Sequence, residues 1–258
     1  MIVSSNPFGR RKYSRIVSLV PSQTELLFDL GLEMEVVGIT KFCIHPYKWF
    51  REKQRIGGTK NINFQKLHEL SPDLIIANKE ENVKEQVELL AEKYDVYISD
   101  VNNLEEAVSM INDIGNLTGR SEKASRLSLY ILEEFEKLVN IVSVKREITA
   151  IYFIWKDPWM VAASHTFINE MMKYAGLKNV FDHLERYPEI SMAEVNQENP
   201  ELILLSIEPY PFKEKHKTEI KRIFPGTKIE IVDGEMFSWY GSRLLKSIKY
   251  FHSFLKGH

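Results

Sequence analysis

Two stretches of the same length constrain this chain more than anything else in it. Residues 62–76 read INFQKLHELSPDLII, and residues 190–204, starting 128 positions later, read ISMAEVNQENPELIL. Each holds a polar residue suited to a helix N-cap (Asn63, Ser191), a short helix, a Pro-acidic-Leu step and an apolar strand. Asn and Ser at an N-cap accept hydrogen bonds from backbone N–H groups left free at a helix start. Pro72 and Pro200 bring the two helices to an end. The likeness extends outward. RIVSLVPSQTELLFDLGLEMEVVGI and TAIYFIWKDPWMVAASHTFINEMMKYAGLKNVF share the order strand, turn, helix, Gly, strand. Ser22-Gln23-Thr24 answers to Ser164-His165-Thr166, Gly31-Leu32 to Gly176-Leu177, and VYISDV at 96–101 to IEIVDG at 229–234. Solenoid repeats recur every 20–50 residues or so, so a spacing this long indicates duplicated domains.

Between the copies the apolar spacing turns helical. Leu104, Ala107, Val108 and Ile111 form one stripe. After Gly119, the residues Leu127, Ile131, Leu132, Phe135 and Leu138 form a second on a helix over about 121–141. Strands alternating with helices imply parallel sheets. The expected fold is α/β: two Rossmann-like lobes with parallel sheets, joined by one long linking helix, with a ligand cleft between them. The expected division is 1–119 for the N-terminal lobe, 120–145 for the linking helix and 146–258 for the C-terminal lobe. Open parallel sheets bind ligands beyond the carboxyl ends of their strands, so functional residues are expected just after strands.

Composition narrows the partners. With 34 basic and 36 acidic residues the formal charge is -2, which gives no electrostatic footprint for nucleic acid and no acidic tail. A single cysteine, Cys43, allows no intrachain disulfide. No apolar run approaches the ~20 residues that span a bilayer. Arg10, Arg11 and Lys12 precede only a short strand-like run, Ile16 to Val20, rather than the core of a secretory signal, and no lipid-attachment cysteine stands near the start. With Met1 as the native start, a cytoplasmic monomer is expected.

The post-strand segments supply the candidate residues. Ser22 with Glu25 three positions on has the spacing of a capping box at a helix start; the alternative is an anion at that N-terminus. In ITKFCIHPYKWF, Cys43 and His45 would face the same way on an extended segment. Thiolate and imidazole are zinc ligands, and His165 in the matching second-lobe loop could complete a metal site, although three or four ligands are needed. A Cys-His nucleophile, a packed loop and a contact to an organic ligand are the other readings of this segment. Gly57-Gly58 permits a tight loop near a ligand, and Lys60 is suited to an anionic group or to solvent. Asn78 stands at a strand end, with Lys79 to Lys84 expected as the exposed first turn of a helix. The second half is aromatic: Trp155 and Trp159 flank a Pro turn, Arg186 and Tyr187 precede a helix, and Glu208 and Tyr210 follow a strand. Glu235, Phe237, Trp239, Tyr240 and Arg243 crowd one segment. Such rings either cap a core or, together, favour a flat, partly apolar ligand whose polar edges Glu208, Glu235, Arg186 and Arg243 would orient. No Gly-x-Gly-x-x-Gly, Walker loop or Gly-x-Ser-x-Gly motif points to an enzyme.

With RIVSLVPSQTELLFDLGL, PDLIIA, the long central helix and NPELIL in place, the chain resembles, from about Arg15 to Phe254, the periplasmic-binding-protein group with a helical backbone. These are receptors for corrinoids, siderophores, haem and metal ions that serve ABC importers. GITKFCIHP, GGTKN and DGEMFSWYGSR are similar to a cobalamin-binding or metal-receptor-like subgroup. The resemblance implies a binding protein without catalytic activity or required cofactor. Its ligand would be a corrinoid, a metal chelate or a transition metal, and its partner an ABC permease. The resemblance places ligand contacts at Lys41, Phe42, Cys43, His45, Thr59, Asn78, Trp159, Tyr187, Glu208 and Phe237 to Arg243. Corrinoid receptors of the group dock on their permease through a glutamate on each lobe; at those positions this chain has Gln65 and Ala193, with Glu194 one step away.

Overall fold

The computed structural model describes residues 2–3 and 13–257. Arg10, Arg11 and Lys12 lie outside the described residues. The chain forms two compact units. The first holds the described residues up to Val101 together with Glu105–Tyr130 and Tyr240–Arg243; the second holds Asn102–Leu104, Ile131–Trp239 and the described residues from Leu244 onward.

Unit 1 is a parallel sheet. Its strands are β1 (Ile2–Val3), β2 (Ile16–Ser18), β3 (Val36–Ile39), β4 (Gln54–Arg55), β5 (Leu74–Asn78) and β6 (Asp95–Ser99), in the order β1-β6-β5-β2-β3-β4. The connecting helices are α1 (Pro21–Asp29), α2 (Tyr47–Glu52), α3 (Phe64–Leu70) and α4 (Lys84–Ala91). Then come α5 (Leu104–Leu117) and α6 (Ser121–Val142), the latter giving residues to both units. Unit 2 contains β7 (Ile148–Trp155), β8 (Met160–Val161), β9 (Leu177–Asn179), β10 (Leu202–Ser206) and β11 (Lys228–Val232). Its helices are α7 (Phe167–Tyr174), α8 (Met192–Glu198), α9 (Glu214–Ile223), α10 (Glu235–Ser238) and α11 (Leu244–Gly257). Strands β11, β10 and β7 run parallel in that order; the far edge of β7 pairs in parallel with β9 and antiparallel with β8.

The orders β6-β5-β2-β3 and β11-β10-β7-β9 are the same arrangement twice, which is the sequence repeat seen as topology. Every residue of β2, β5 and β10 is buried. These are the continuous apolar runs of parallel strands covered on both faces. The repeat helices match in detail. Asn63 caps α3 by accepting from the Lys66 N–H, and Ser191 caps α8 in a reciprocal box with Glu194. Both helices end on a left-handed residue, Ser71 at φ 44° and Asn199 at φ 45°, just before their prolines. Each short helix is anchored by one fully buried side chain at the equivalent position, Leu67 or Val195. Unit 1 packs Val17, Leu19, Ile75 and Val96 around Leu67, and unit 2 packs Ile151, Phe153, Ile203 and Leu205 around Val195.

Two expectations are corrected. Ser22 is not an N-cap: α1 starts at Pro21, whose ring pre-sets the first helical φ, behind Val20, with no side-chain cap. Glu25 therefore makes no capping box and pairs with Arg243 instead. In α6 the buried stripe is Ala124, Ser128, Ile131, Phe135 and Leu138; Leu127 is half-buried and Leu132 is exposed, one position off the stripe. Among the described residues no helix is long and apolar enough to cross a membrane.

Candidate ligand-binding loops

In unit 1 the carboxyl ends of the parallel strands carry a buried polar network. Ser18, Gln23, Thr24, Thr40, Thr59, Asn78, Asn82 and Ser99 are all buried. Gln23 Nε2 donates to Ser99 Oγ, and Asn78 Nδ2 donates to the Ser99 carbonyl at 3.0 Å. Asn78 Oδ1 accepts from the N–H groups of Glu80 and Glu81, while Asn82 Oδ1 accepts from the Asn78 N–H. Asn82 Nδ2 donates to the Thr59 carbonyl at 3.0 Å, Gln86 Nε2 to the Lys60 carbonyl at 3.1 Å, and Lys60 Nζ to the Glu80 carbonyl. The loops after β4 and β5 are thereby fastened to each other. Gly57, at φ +107°, closes the first of them; a Cβ there would lie 2.4 Å from the Asn61 carbonyl oxygen, so the loop itself requires glycine.

This network redefines several expected contacts. Asn78 spends its amide on the loop. Thr59 is buried beneath Asn82, and Lys79 to Lys84 are not a first helical turn, because α4 begins at Lys84 and Asn82 is buried. Cys43 is fully buried on a turn, with Thr24 Oγ1 at 3.1 Å and Thr40 Oγ1 at 3.2 Å from its sulfur. Burial pushes its thiol pKa up, which disfavours the thiolate that a metal or a nucleophilic role would need. Among the described residues no group of three or more His, Cys, Asp or Glu side chains could hold a metal ion, so the site expected from Cys43, His45 and His165 does not form. His45 is half-buried, while Lys41 and Phe42 are exposed, the ammonium 5.0 Å from the ring centroid.

In unit 2 the loops after β7 and β10 carry aromatic rings. Trp155 is 39% exposed, its ring 5.5 Å from Tyr210 and inclined at 70°. Behind them Tyr210 meets Phe212 at 4.7 Å, and Trp159 stacks on Phe212 with an interplanar angle of 13°. Lys156 lies over Trp159 and pairs with Glu219. His216 holds the loop in shape: its Nδ1 accepts from the Lys213 N–H at 3.0 Å. Its pKa is lowered by burial and, after that, by Lys215 and Lys156. Half-buried Glu208 accepts from Trp239 Nε1 at 3.2 Å, which fixes one carboxylate oxygen. Arg186, at φ 61°, donates to the His165 carbonyl and to Asn102 Oδ1 and lies 5.7 Å from the Tyr187 ring centroid. A conformation costly for a side-chain-bearing residue is thus tied down by charged hydrogen bonds.

The segment 235–243 is core. Phe237 is fully buried between Tyr152 and Phe251, Glu235 and Tyr240 are buried, and Trp239 is 8% exposed. Arg243 makes a bidentate pair with Glu25 at 2.6 and 2.9 Å within unit 1. Phe237 is thus packed in the core of unit 2, and Arg243 is held in an ion pair in unit 1. Trp155, Tyr210, Ile207 and Glu208 remain as the accessible carboxyl-end set of unit 2. Gln65 is exposed and hydrogen-bonded to Glu69, and the Glu194 carboxylate is occupied in capping Ser191. A cavity of about 180 Å3 lined by Lys145, Arg146, Ile148 and Leu255 lies at the amino end of β7, away from these loops, with both cations already bonded to Leu255 and Glu201.

Glu81 was not singled out by the sequence. It is half-buried in the loop after β5, and burial raises its pKa, with Lys60 opposing. The one available signal was the Asn78-x3-Asn82 spacing around it.

Comparison with known proteins agrees with this architecture. The vitamin B12-binding protein of Vibrio campbellii is 22% identical over 208 residues, covering 80% of this chain and 75% of that protein. The crystal structure of the periplasmic vitamin B12-binding protein of Vibrio cholerae superposes with a TM-score of 0.79 at 22% identity, covering 95% of this chain and 97% of that one. A periplasmic haem-binding protein from Pseudomonas aeruginosa gives a TM-score of 0.82 at 17% identity, over 95% of this chain and 93% of the other. The family model described as periplasmic binding protein matches residues 16–224, and the chain belongs to the periplasmic binding protein family.

Proposed function

We propose that this chain is the solute receptor of an ABC-type importer and that it binds a flat, partly apolar tetrapyrrole-like molecule, a corrinoid in the first instance, one to one and without chemical conversion. The observation that carries the reading is the accessible Trp155 ring braced on Tyr210, Phe212 and Trp159 at the carboxyl ends of β7 and β10. A rigid aromatic platform offers a large apolar area with little entropy left to lose on binding. Glu208, oriented by Trp239, supplies an acceptor beside it. Relatives named for vitamin B12 and haem support the ligand class. The changed docking positions Gln65 and Ala193 imply that any permease partner recognises a different surface.

Titration of the protein with dicyanocobinamide, cyanocobalamin and hemin, followed by tryptophan fluorescence, tests the reading. Saturable quenching at one equivalent by a corrinoid is expected. Silence of all three at micromolar protein overturns it.

A further inference from the structure

Helix α2 turns one face into unit 1 and leaves the other to solvent. Inward, Trp49 is fully buried, its ring edge-on to Phe28 at 5.3 Å. Outward, Tyr47, Phe50 and Arg51 share a face by their helical spacing. Tyr47 is 65% exposed, Phe50 is half-buried and Arg51 is exposed. The Arg51 guanidinium lies 5.9 Å from the Tyr47 ring centroid, and its Nη1 donates to the Tyr47 hydroxyl at 3.3 Å. Exposed Arg55, on the edge strand β4, lies 4.9 Å from the Phe50 ring centroid and donates to the Phe50 carbonyl at 3.2 Å. The two rings are 6.4 Å apart and inclined at 31°. Arg51, Tyr47, Phe50 and Arg55 thus form a continuous run of side chains with a cation at each end.

The neighbouring acids are engaged elsewhere. Glu33 pairs with Lys48, and Glu35 with Arg120 at 2.9 Å. Lys53 donates to the Glu33 carbonyl and lies over the Trp49 ring, so α2 is tied to the loop before β3 by two lysines. Among the described residues neither Arg51 nor Arg55 is paired with a carboxylate, and exposed Glu52 is the one acid of α2. Guanidinium groups present planar forks that fit phosphate oxygens. Rings with a polar tip suit the boundary between headgroups and acyl chains. The run is four side chains on a short helix and an edge strand, far fewer than the roughly 20–30 residues that each side gives a stable protein interface; a headgroup layer demands no matching shape. The formal charge of -2 supplies no broader basic field for a nucleic acid. We propose that this face of unit 1 is a contact surface for anionic phospholipid, its guanidinium groups on headgroup phosphates and its rings beneath them, weak and salt-dependent. The inference stands on unit 1 alone and does not depend on the solute.

Co-sedimentation of the full chain with vesicles of phosphatidylglycerol and phosphatidylcholine in equal parts, and with vesicles of phosphatidylcholine alone, tests this at low and raised salt. Circular dichroism checks that each variant is folded. Partition onto the anionic vesicles is expected, with loss at raised salt and none onto the neutral ones. R51E/R55E should weaken it at least about tenfold, and Y47S about threefold. K178E/R222E, which makes the same change in net charge at exposed positions of unit 2, should leave it unaltered. The proposal is overturned if the parent chain ignores anionic vesicles, if it binds both kinds equally, or if R51E/R55E and K178E/R222E weaken binding alike. An unchanged Y47S overturns the part given to the rings. Retention of poly-L-glutamate by the parent chain and not by R51E/R55E, without vesicle binding, assigns the face to an acidic protein and overturns the lipid reading.

Discussion

Trp155 is exposed where a tryptophan of this size would ordinarily be covered, and its neighbours do not cover it; they brace it. Tyr210 meets it edge-on, and Phe212 and Trp159 stand behind in a continuous set of ring contacts. Trp155→Ala therefore removes ligand contact without opening the core. The expected result is at least about tenfold weaker corrinoid binding, with a melting temperature within a degree or two of the parent, read by calorimetric titration and thermal denaturation. Trp159→Ala is the contrast, because that ring is stacked on Phe212 and its loss leaves a hole in unit 2. The aromatic cluster shows how far composition reaches. Sequence alone assembles the rings as a group, but exposure separates Trp155 from Phe237, and exposure depends on which side of the fold each segment meets. The metal reading of Cys43 and His45 failed for a related reason. Spacing says that two side chains can face one way, while Thr24 and Thr40, distant or unremarkable in sequence, decide that the sulfur is enclosed.

At the level of elements, the repeat was legible because its signals are local. An N-cap, one buried aliphatic, a left-handed C-cap and a proline recur 128 positions apart, and each has a backbone reason. Helices as short as α3 and α8 are not stable alone, so the single anchors Leu67 and Val195 carry their attachment. Leu67→Ala is expected to destabilise by about 2–5 kcal/mol, and Val195→Ala by somewhat less, since fewer methyl groups are lost; urea denaturation measures both. What the sequence could not show is how loops fasten to one another. The β10–α9 loop depends on His216, whose neutral Nδ1 receives the Lys213 N–H. Burial lowers its folded-state pKa, so its stabilising contribution is present above the unfolded value of about 6.5 and is lost as pH falls through the lower folded value. Lys215, Lys156 and Lys213 oppose the protonated form and Glu219 favours it. Protonation turns Nδ1 into a donor, so the Lys213 bond breaks and Tyr210 loosens. Corrinoid affinity and thermal stability should both decline as pH falls below the unfolded value and through the lowered folded one. His216→Asn, which keeps an acceptor near the same N–H, should flatten that decline in a pH series of titrations.

For the whole molecule, the chain does not lay down its two units as consecutive blocks. Tyr240–Arg243 belongs to the first unit although both flanking stretches belong to the second. Gly241, at φ +93°, lets this strip run close along α1: a Cβ there would sit 3.4 Å from Leu26. Arg243 then reaches the Glu25 carboxylate in a site where both side chains are less than a tenth exposed. A duplicated gene suggests two halves that could be cut apart and studied singly. Here the first unit is chemically unfinished until residue 243 has been made, because its buried acid waits for a base encoded 218 positions downstream. Removing one member of a buried ion pair costs about 3–5 kcal/mol. A truncated product ending at Tyr130 should therefore be recovered mainly in inclusion bodies, and a co-expressed 131–258 segment should restore soluble material; equal solubility of the truncated product with and without that segment would contradict this. Late completion of this kind keeps an N-terminal domain from settling before its sibling has been made.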